Sequence, residues 1–358
     1  MTKFNIAILC LLSSFFFLTT ACEEEKDADI ASIKLKMDFK RLDQQMYQAA
    51  QFLQENESIE AEEFLNKFFE EDKDFFRQYL GMTAADMERA GVPVEKTDSL
   101  IGSQLKDFLS DSIMYDLLEE IQEVFPADMV LLDPISAPIK RLKKYFPDTQ
   151  IPAIRTHANG YMPGSDLRGA DQLVSVPGYY SLGLHYFLGK DFPYYPENIY
   201  AYQRRRFNLE HMDVVVAKAI ADEFVAPRNP ATKRSLLDGM VHAGIKQYFI
   251  HQLLPYTPDS LLLYYNRQQM DWARLFEEEN YSFLLDKLFD SDFKFQRNFL
   301  ADKPYTTELS DESAPRIGEY MGWRIVDSYM KNNPEMSLAE LCEKTDYEGI
   351  FRKAGYKP

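Results

Sequence analysis

Leu236-Leu237-Asp238-Gly239-Met240-Val241-His242-Ala243-Gly244-Ile245-Lys246-Gln247-Tyr248-Phe249-Ile250 is the stretch whose reading decides the fold class. It forms the body of an expected helix over residues 231–254, entered through Pro230, whose missing N–H costs nothing in a first helical turn. Asp238 and His242 stand four apart and share one face, and Ile245 and Phe249 continue that stripe. The same period spreads outward in both directions. Upstream, Leu42, Met46, Ala49, Ala50 and Leu53 carry a helix through residues 33–53 after an extended start, and further helical segments are expected over 59–80 and from Asp98 to about Phe125. Residues 135–146 form a short segment, basic on one side. Downstream, helices are predicted over 197–226, 259–278, 280–289, 315–330 and 338–354. Between 151 and 190 the residues turn β-favouring and are punctuated by Gly and Pro, as in Leu173-Val174-Ser175-Val176 and Tyr179 to Leu188. The expected fold is mostly α with a small β-sheet (α+β), a single domain over 33–358.

The N-terminus sets the compartment. Lys3 leads into an apolar run from Phe4 to Leu18, too short for a comfortable transmembrane helix, and small residues precede Cys22. Leu18-Thr19-Thr20-Ala21-Cys22 resembles a bacterial lipobox in relaxed form, so residues 1–21 are read as a signal peptide and Cys22 as the acylated first residue of the mature chain. Residues 22–32, with Glu23-Glu24-Glu25-Lys26-Asp27, are read as a flexible tether. Of three cysteines, Cys10 leaves with the signal and Cys22 is acylated; Cys342 alone remains, so no internal disulfide can form. A net charge of −17 argues against nucleic acid and against electrostatic adsorption to anionic lipid, which leaves the anchor at Cys22 as the membrane attachment.

Chemistry is sparse. Zinc hydrolases place two histidines at i and i+4 on a helix with a glutamate base at i+1. Here Asp238 holds the first ligand position, His242 the second, and Gly239 the base position, where no proton can be taken. Glu319, in Arg316-Ile317-Gly318-Glu319-Tyr320, is the candidate third ligand, with His185 as a further one. The competing and favoured reading has His242 hydrogen-bonded to Asp238 and Glu319 partly exposed or paired to an arginine. No catalytic residue and no cofactor are therefore expected, and Asp238, His242 and Glu319 stand only as candidate metal ligands. No GxGxxG, GxxxxGK[ST] or GxSxG pattern occurs. Arg204-Arg205-Arg206 offers either an anion site or, the favoured reading, internal ion pairs. Aromatic residues make up 14% of the chain, enough to keep a glycan- or peptide-capture role open should the tyrosines or Trp272 form an exposed platform.

Taken in order, Lys36-Met37-Asp38-Phe39-Lys40-Arg41-Leu42-Asp43, Leu184-His185-Tyr186-Phe187-Leu188-Gly189-Lys190-Asp191, Leu237-Asp238-Gly239-Met240 and Pro315-Arg316-Ile317-Gly318-Glu319-Tyr320-Met321-Gly322-Trp323-Arg324 look like the gliding-motility lipoprotein B (GldB) family of Bacteroidota. The resemblance runs from about residue 33 to the end. It implies a cell-envelope lipoprotein, of the outer membrane, tied to gliding motility and the type IX secretion system and acting through envelope protein partners. It also implies a distant likeness to predicted zinc peptidases, whose HExxH helix falls at Asp238 to His242, and hence a degenerate zincin-like fold. The alternative activity is a metal-dependent hydrolase with non-standard ligands.

Overall fold

The computed structural model describes residues 29–55, 59–73, 91, 103, 105–158, 172–176, 178–193, 195–197, 199–227 and 235–358. The expected signal peptide, Cys22 and most of the tether lie outside the described residues, as do Pro230 and the first turn expected of the 231–254 helix. The chain divides into two compact units, one of Met37–Asp133 and Ile151–Met212, the other of Met1–Lys36, Pro134–Gln150 and Asp213–Pro358.

The first unit is built on a four-stranded sheet. Strand β1 (Phe39–Arg41) runs directly into helix α1 (Leu42–Glu55), which buries Leu42, Met46, Ala49 and Ala50 at helical spacing. The helix read over 33–53 therefore begins only at Leu42. Phe39, Lys40 and Arg41 instead pair in parallel with Ile154, Arg155 and Thr156, and the buried Asp43 carboxylate grips Arg41 Nε and Nη2 at 2.8 and 2.6 Å. Helix α2 (Ile59–Glu71) follows, then α3 (Ser112–Val124), whose first turn is capped by Asp111 accepting from the Ile113 and Met114 N–H groups. Helix α4 (Asp128–Tyr145) starts before the expected 135 and keeps Pro134 and Pro138 inside it; only its first residues, up to Asp133, belong to this unit. Strands β2 (Ala153–His157), β3 (Leu173–Val176) and β4 (Tyr179–Gly183) complete the sheet in the order β1-β2-β4-β3, parallel except for the β3–β4 hairpin. Gly178, at φ 88°, makes the hairpin turn in a conformation that L side chains avoid. Past β4 the expected strand gives way to a 3-10 turn, Leu184–Tyr186. The helix read over 197–226 is broken: α5 (Ala201–Arg204) stops where Phe207 turns inward against Tyr186 and Tyr195.

The second unit is helical. Helix α6 (Met212–Phe224) is followed by α7 (Leu236–Leu253), which is buried on most of its circumference, as a helix at the centre of a unit must be. Helices α8 (Asp259–Leu262), α9 (Arg267–Leu275) and α10 (Glu277–Leu285) replace the continuous 259–278 helix; the break falls at Tyr264, and Asn266 caps the restart by accepting from Gln269 N at 2.8 Å. Helix α11 (Phe293–Leu300), capped by Asp292, was not expected from the sequence. Helix α12 (Ile317–Asn332) crosses α7 backbone to backbone, because a Cβ on Gly244 would fall on the Gly322 carbonyl. Helices α13 (Leu338–Cys342) and α14 (Tyr347–Ala354) close the chain, split by Asp346, which accepts from Gly349 N at 2.9 Å. Within the stretch read as tether, Ile30 is buried and Asp29 pairs with Arg141 and Lys144 at 3.2 and 2.8 Å. Among the described residues no helix is long and apolar enough to cross a membrane.

Candidate functional site

A cleft of about 380 Å³ opens in the helical unit between α6, α7, α11 and α12. Lys218 and Asp222 reach it from α6, Gly239, His242 and Lys246 from α7, and Glu319 from α12. The sequence-derived residues thus meet only in part. His242 and Glu319 share the cleft; Asp238 does not line it.

Asp238 is held elsewhere for a local reason. Side chains on a helix lean toward its N-terminus, where the first N–H groups lack partners. The Asp238 carboxylate accepts from Ser235 N at 2.9 Å while Ser235 Oγ accepts from Asp238 N at 3.2 Å, a reciprocal capping box. The expected hydrogen bond from His242 to Asp238 is therefore replaced. His242 Nε2 lies 3.3 Å from the Ala226 carbonyl, which makes Nε2 the donor, and its ring meets Tyr347 edge-on at 6.0 Å. With Asp238 in the cap, the structure brings only His242 and Glu319 of the three candidate ligands together. Among the described residues, no three His, Cys, Asp or Glu side chains group in a way that could hold one. His185 belongs to the other unit, fully buried against Tyr186.

Glu319 is clamped. Lys218 Nζ lies 3.6 Å from one of its oxygens and Arg316 Nε 3.5 Å from the other. Asp222 accepts from Lys246 Nζ at 2.6 Å, so each carboxylate in the cleft faces an ammonium or a guanidinium. Beneath this lies strained backbone: Tyr264 at φ 56° and Arg316 at φ 49° are the described non-glycine residues in the left-handed region. Such conformations cost about 1–3 kcal/mol each and persist only where their surroundings fix them. Here the surroundings are mutual. Arg316 and Lys218 both lie over the Tyr264 ring, at 5.8 and 4.8 Å, and Arg316 Nη2 donates to the Leu263 carbonyl. Burial works against the Arg316 charge, but Glu319 and Asp302 outweigh it and raise its pKa. Neither Tyr264 nor Arg316 could have been found by sequence reading, since the usual mark of a left-handed position is Gly or Asn.

The sheet unit holds a second polar cluster. Ser181 Oγ and His157 Nδ1 approach to 2.5 Å, and Thr156 donates to Asp43. The contact resembles a nucleophile–base pair, but Ser181 and His157 are 2% and 1% exposed, closed off from solvent. Burial pushes the His157 pKa down to about 3, with Asp43 opposing. Its role is to satisfy buried polar groups. Trp272 is half-buried and tilted 40° against Phe276, not a flat platform.

Compared with known proteins, the chain matches the family profile described as gliding motility protein GldB over residues 23–358. No curated protein and no solved structure matches it.

Proposed function

Because the chain belongs to the gliding motility protein GldB family, we propose that it is an outer-membrane lipoprotein, held by acyl chains on Cys22, that acts by binding another envelope protein and not by catalysis. The region of family likeness opens directly after Cys22, and Leu18 to Ala21 supply the apolar and small residues that lipoprotein processing needs. A helix-lined cleft of mixed charge is the contact surface.

The observation that carries this reading is the pairing inside the cleft. A hydrolase needs a group that takes a proton from water and gives it to the leaving group, help commonly worth about 10²–10⁴ in rate. Where the likeness to zinc peptidases would put that group stands Gly239; Asp238 caps its helix, and Glu319 is clamped between Lys218 and Arg316. Fixed, alternating charges suit recognition of a complementary protein surface, where they select a partner and its register.

The test is a peptide-library digest with the purified chain, run beside metal analysis. No metal-dependent turnover is expected. Stoichiometric zinc with cleavage that His242→Ala or Glu319→Ala eliminates would overturn the proposal.

A further inference from the structure

In the sheet unit, α5 and the turn after it carry Tyr200, Tyr202, Arg204, Arg205 and Arg206. Phe207 is 2% exposed, and its burial, with Gly189 N donating to its carbonyl at 2.8 Å, pins this turn to the unit. Asn208 ties it further by donating to the Arg205 carbonyl at 2.8 Å. The arginines ahead of Phe207 are thereby held together at the surface of a chain whose net charge is −17.

Internal ion pairs do not account for all of them. Among the described residues, no carboxylate lies within 4.0 Å of the Arg204 or Arg205 guanidinium. Burial first and then the charge of Arg206 lower the Arg205 pKa, and the same two causes lower that of His211, although Glu210 lies 3.9 Å from His211 Nδ1. Beside them the Tyr200 and Tyr202 rings stack at 5.8 Å and 14°, and Arg206 lies 5.8 Å from the Tyr202 ring centre. Tyr200 is 66% exposed, so the stack ends in an aromatic surface open to solvent.

We infer that this surface binds an acidic saccharide, with Arg204 and Arg205 on its carboxylate or phosphate and Tyr200 against a sugar ring. Arginine presents a planar fork that matches such anions with two parallel hydrogen bonds. An open tyrosine face supplies apolar contact for a ring with little rotamer freedom to lose. This site stands apart from the cleft reading, since it uses other residues and another kind of ligand.

Calorimetric titration of the mature chain with trigalacturonic acid tests it, with maltotriose and inorganic phosphate as separate arms. The acidic trisaccharide should bind at least tenfold more tightly than either, and more weakly as salt rises. Tyr200→Ala and the double variant Arg204→Gln/Arg205→Gln should each weaken it at least tenfold with an unchanged unfolding midpoint. Tyr200→Phe, which keeps the ring, should retain most of the binding and guard against a folding artefact, whereas Arg205→Lys, which keeps the charge but loses the fork, should weaken it. Equal binding of maltotriose, equal binding of phosphate, undiminished binding by the variants, or none by the parent chain would each overturn the inference.

Discussion

Gly244 and Gly322 touch through their backbones: a Cβ on either would collide with main-chain atoms of the other helix, Gly322 C and O in one direction and the Met240 carbonyl in the other. Two helices can approach this closely only where both lack side chains. The contact sets the spacing of α7 and α12, and with it the distance between His242 and Glu319 across the cleft.

Gly322→Ala gives a sharp test, because propensity and packing pull in opposite directions. Alanine is better than glycine by about 1 kcal/mol within a helix. Overpacking typically costs about 1–3 kcal/mol, and more where the obstacle is backbone. Urea unfolding should show a net loss of at least about 1 kcal/mol for Gly322→Ala and for Gly244→Ala. A net gain would mean that the helices are further apart than described.

In the sheet unit the fork of Asp43 on Arg41 is buried, at 0% and 6% exposure. Removing one partner of a buried ion pair commonly costs about 3–5 kcal/mol, a cost moderated here because Arg41 Nη1 also lies 3.7 Å from Asp128 and donates to the Phe125 carbonyl at 3.1 Å. Asp43→Asn should lower stability by about 2–4 kcal/mol, and it should also weaken the bonds of Thr156 and Gln122, which donate to the same carboxylate. A loss under about 1 kcal/mol would show that Asp128 and the Phe125 carbonyl suffice to hold the Arg41 charge.

Acid should weaken the fold before its carboxylates titrate. His157 and His211 have folded pKa values pushed down to about 3 and about 4, by burial in both cases, and His185 is also well below its ordinary value. Unfolded histidine titrates near 6.5. Above that pH both states are neutral and the stability is fully present. As pH falls from 6.5 toward the folded values the unfolded chain takes up protons that the native one refuses, and each such histidine removes up to about 1.4 kcal/mol per pH unit. Denaturant midpoints should fall steadily from pH 7 to pH 5, and His211→Gln should flatten the slope. A level profile across that range would contradict the burial of these rings.

What could be read from the sequence follows physical range. Helix α7 and much of α12 show in the period of their own apolar residues, and the 151–190 sheet shows in β-branched and aromatic residues between glycines. Strand β1 did not show, because its partner Ile154 lies more than a hundred residues away and three residues carry no period. The breaks at Tyr264 and at Phe207 were hidden for a related reason: they go with tertiary contacts of Arg316 and Phe207, not with local turn residues. For the cleft, the sequence found His242, Glu319 and Gly239. It placed Asp238 with them because i, i+4 spacing says which face a residue shares, not whether a helix end will claim its side chain first.

The most direct test of the binding account is photo-cross-linking in intact cells from a reactive side chain placed at Ala243, on the wall of the cleft. The account predicts one discrete adduct with another envelope protein. That adduct should be lost when Cys22→Ser abolishes acylation and fractionation shows the chain released from the membrane. Uncross-linked monomer alone, from a chain that remains membrane-bound through Cys22 under conditions that trap other envelope complexes, would contradict it.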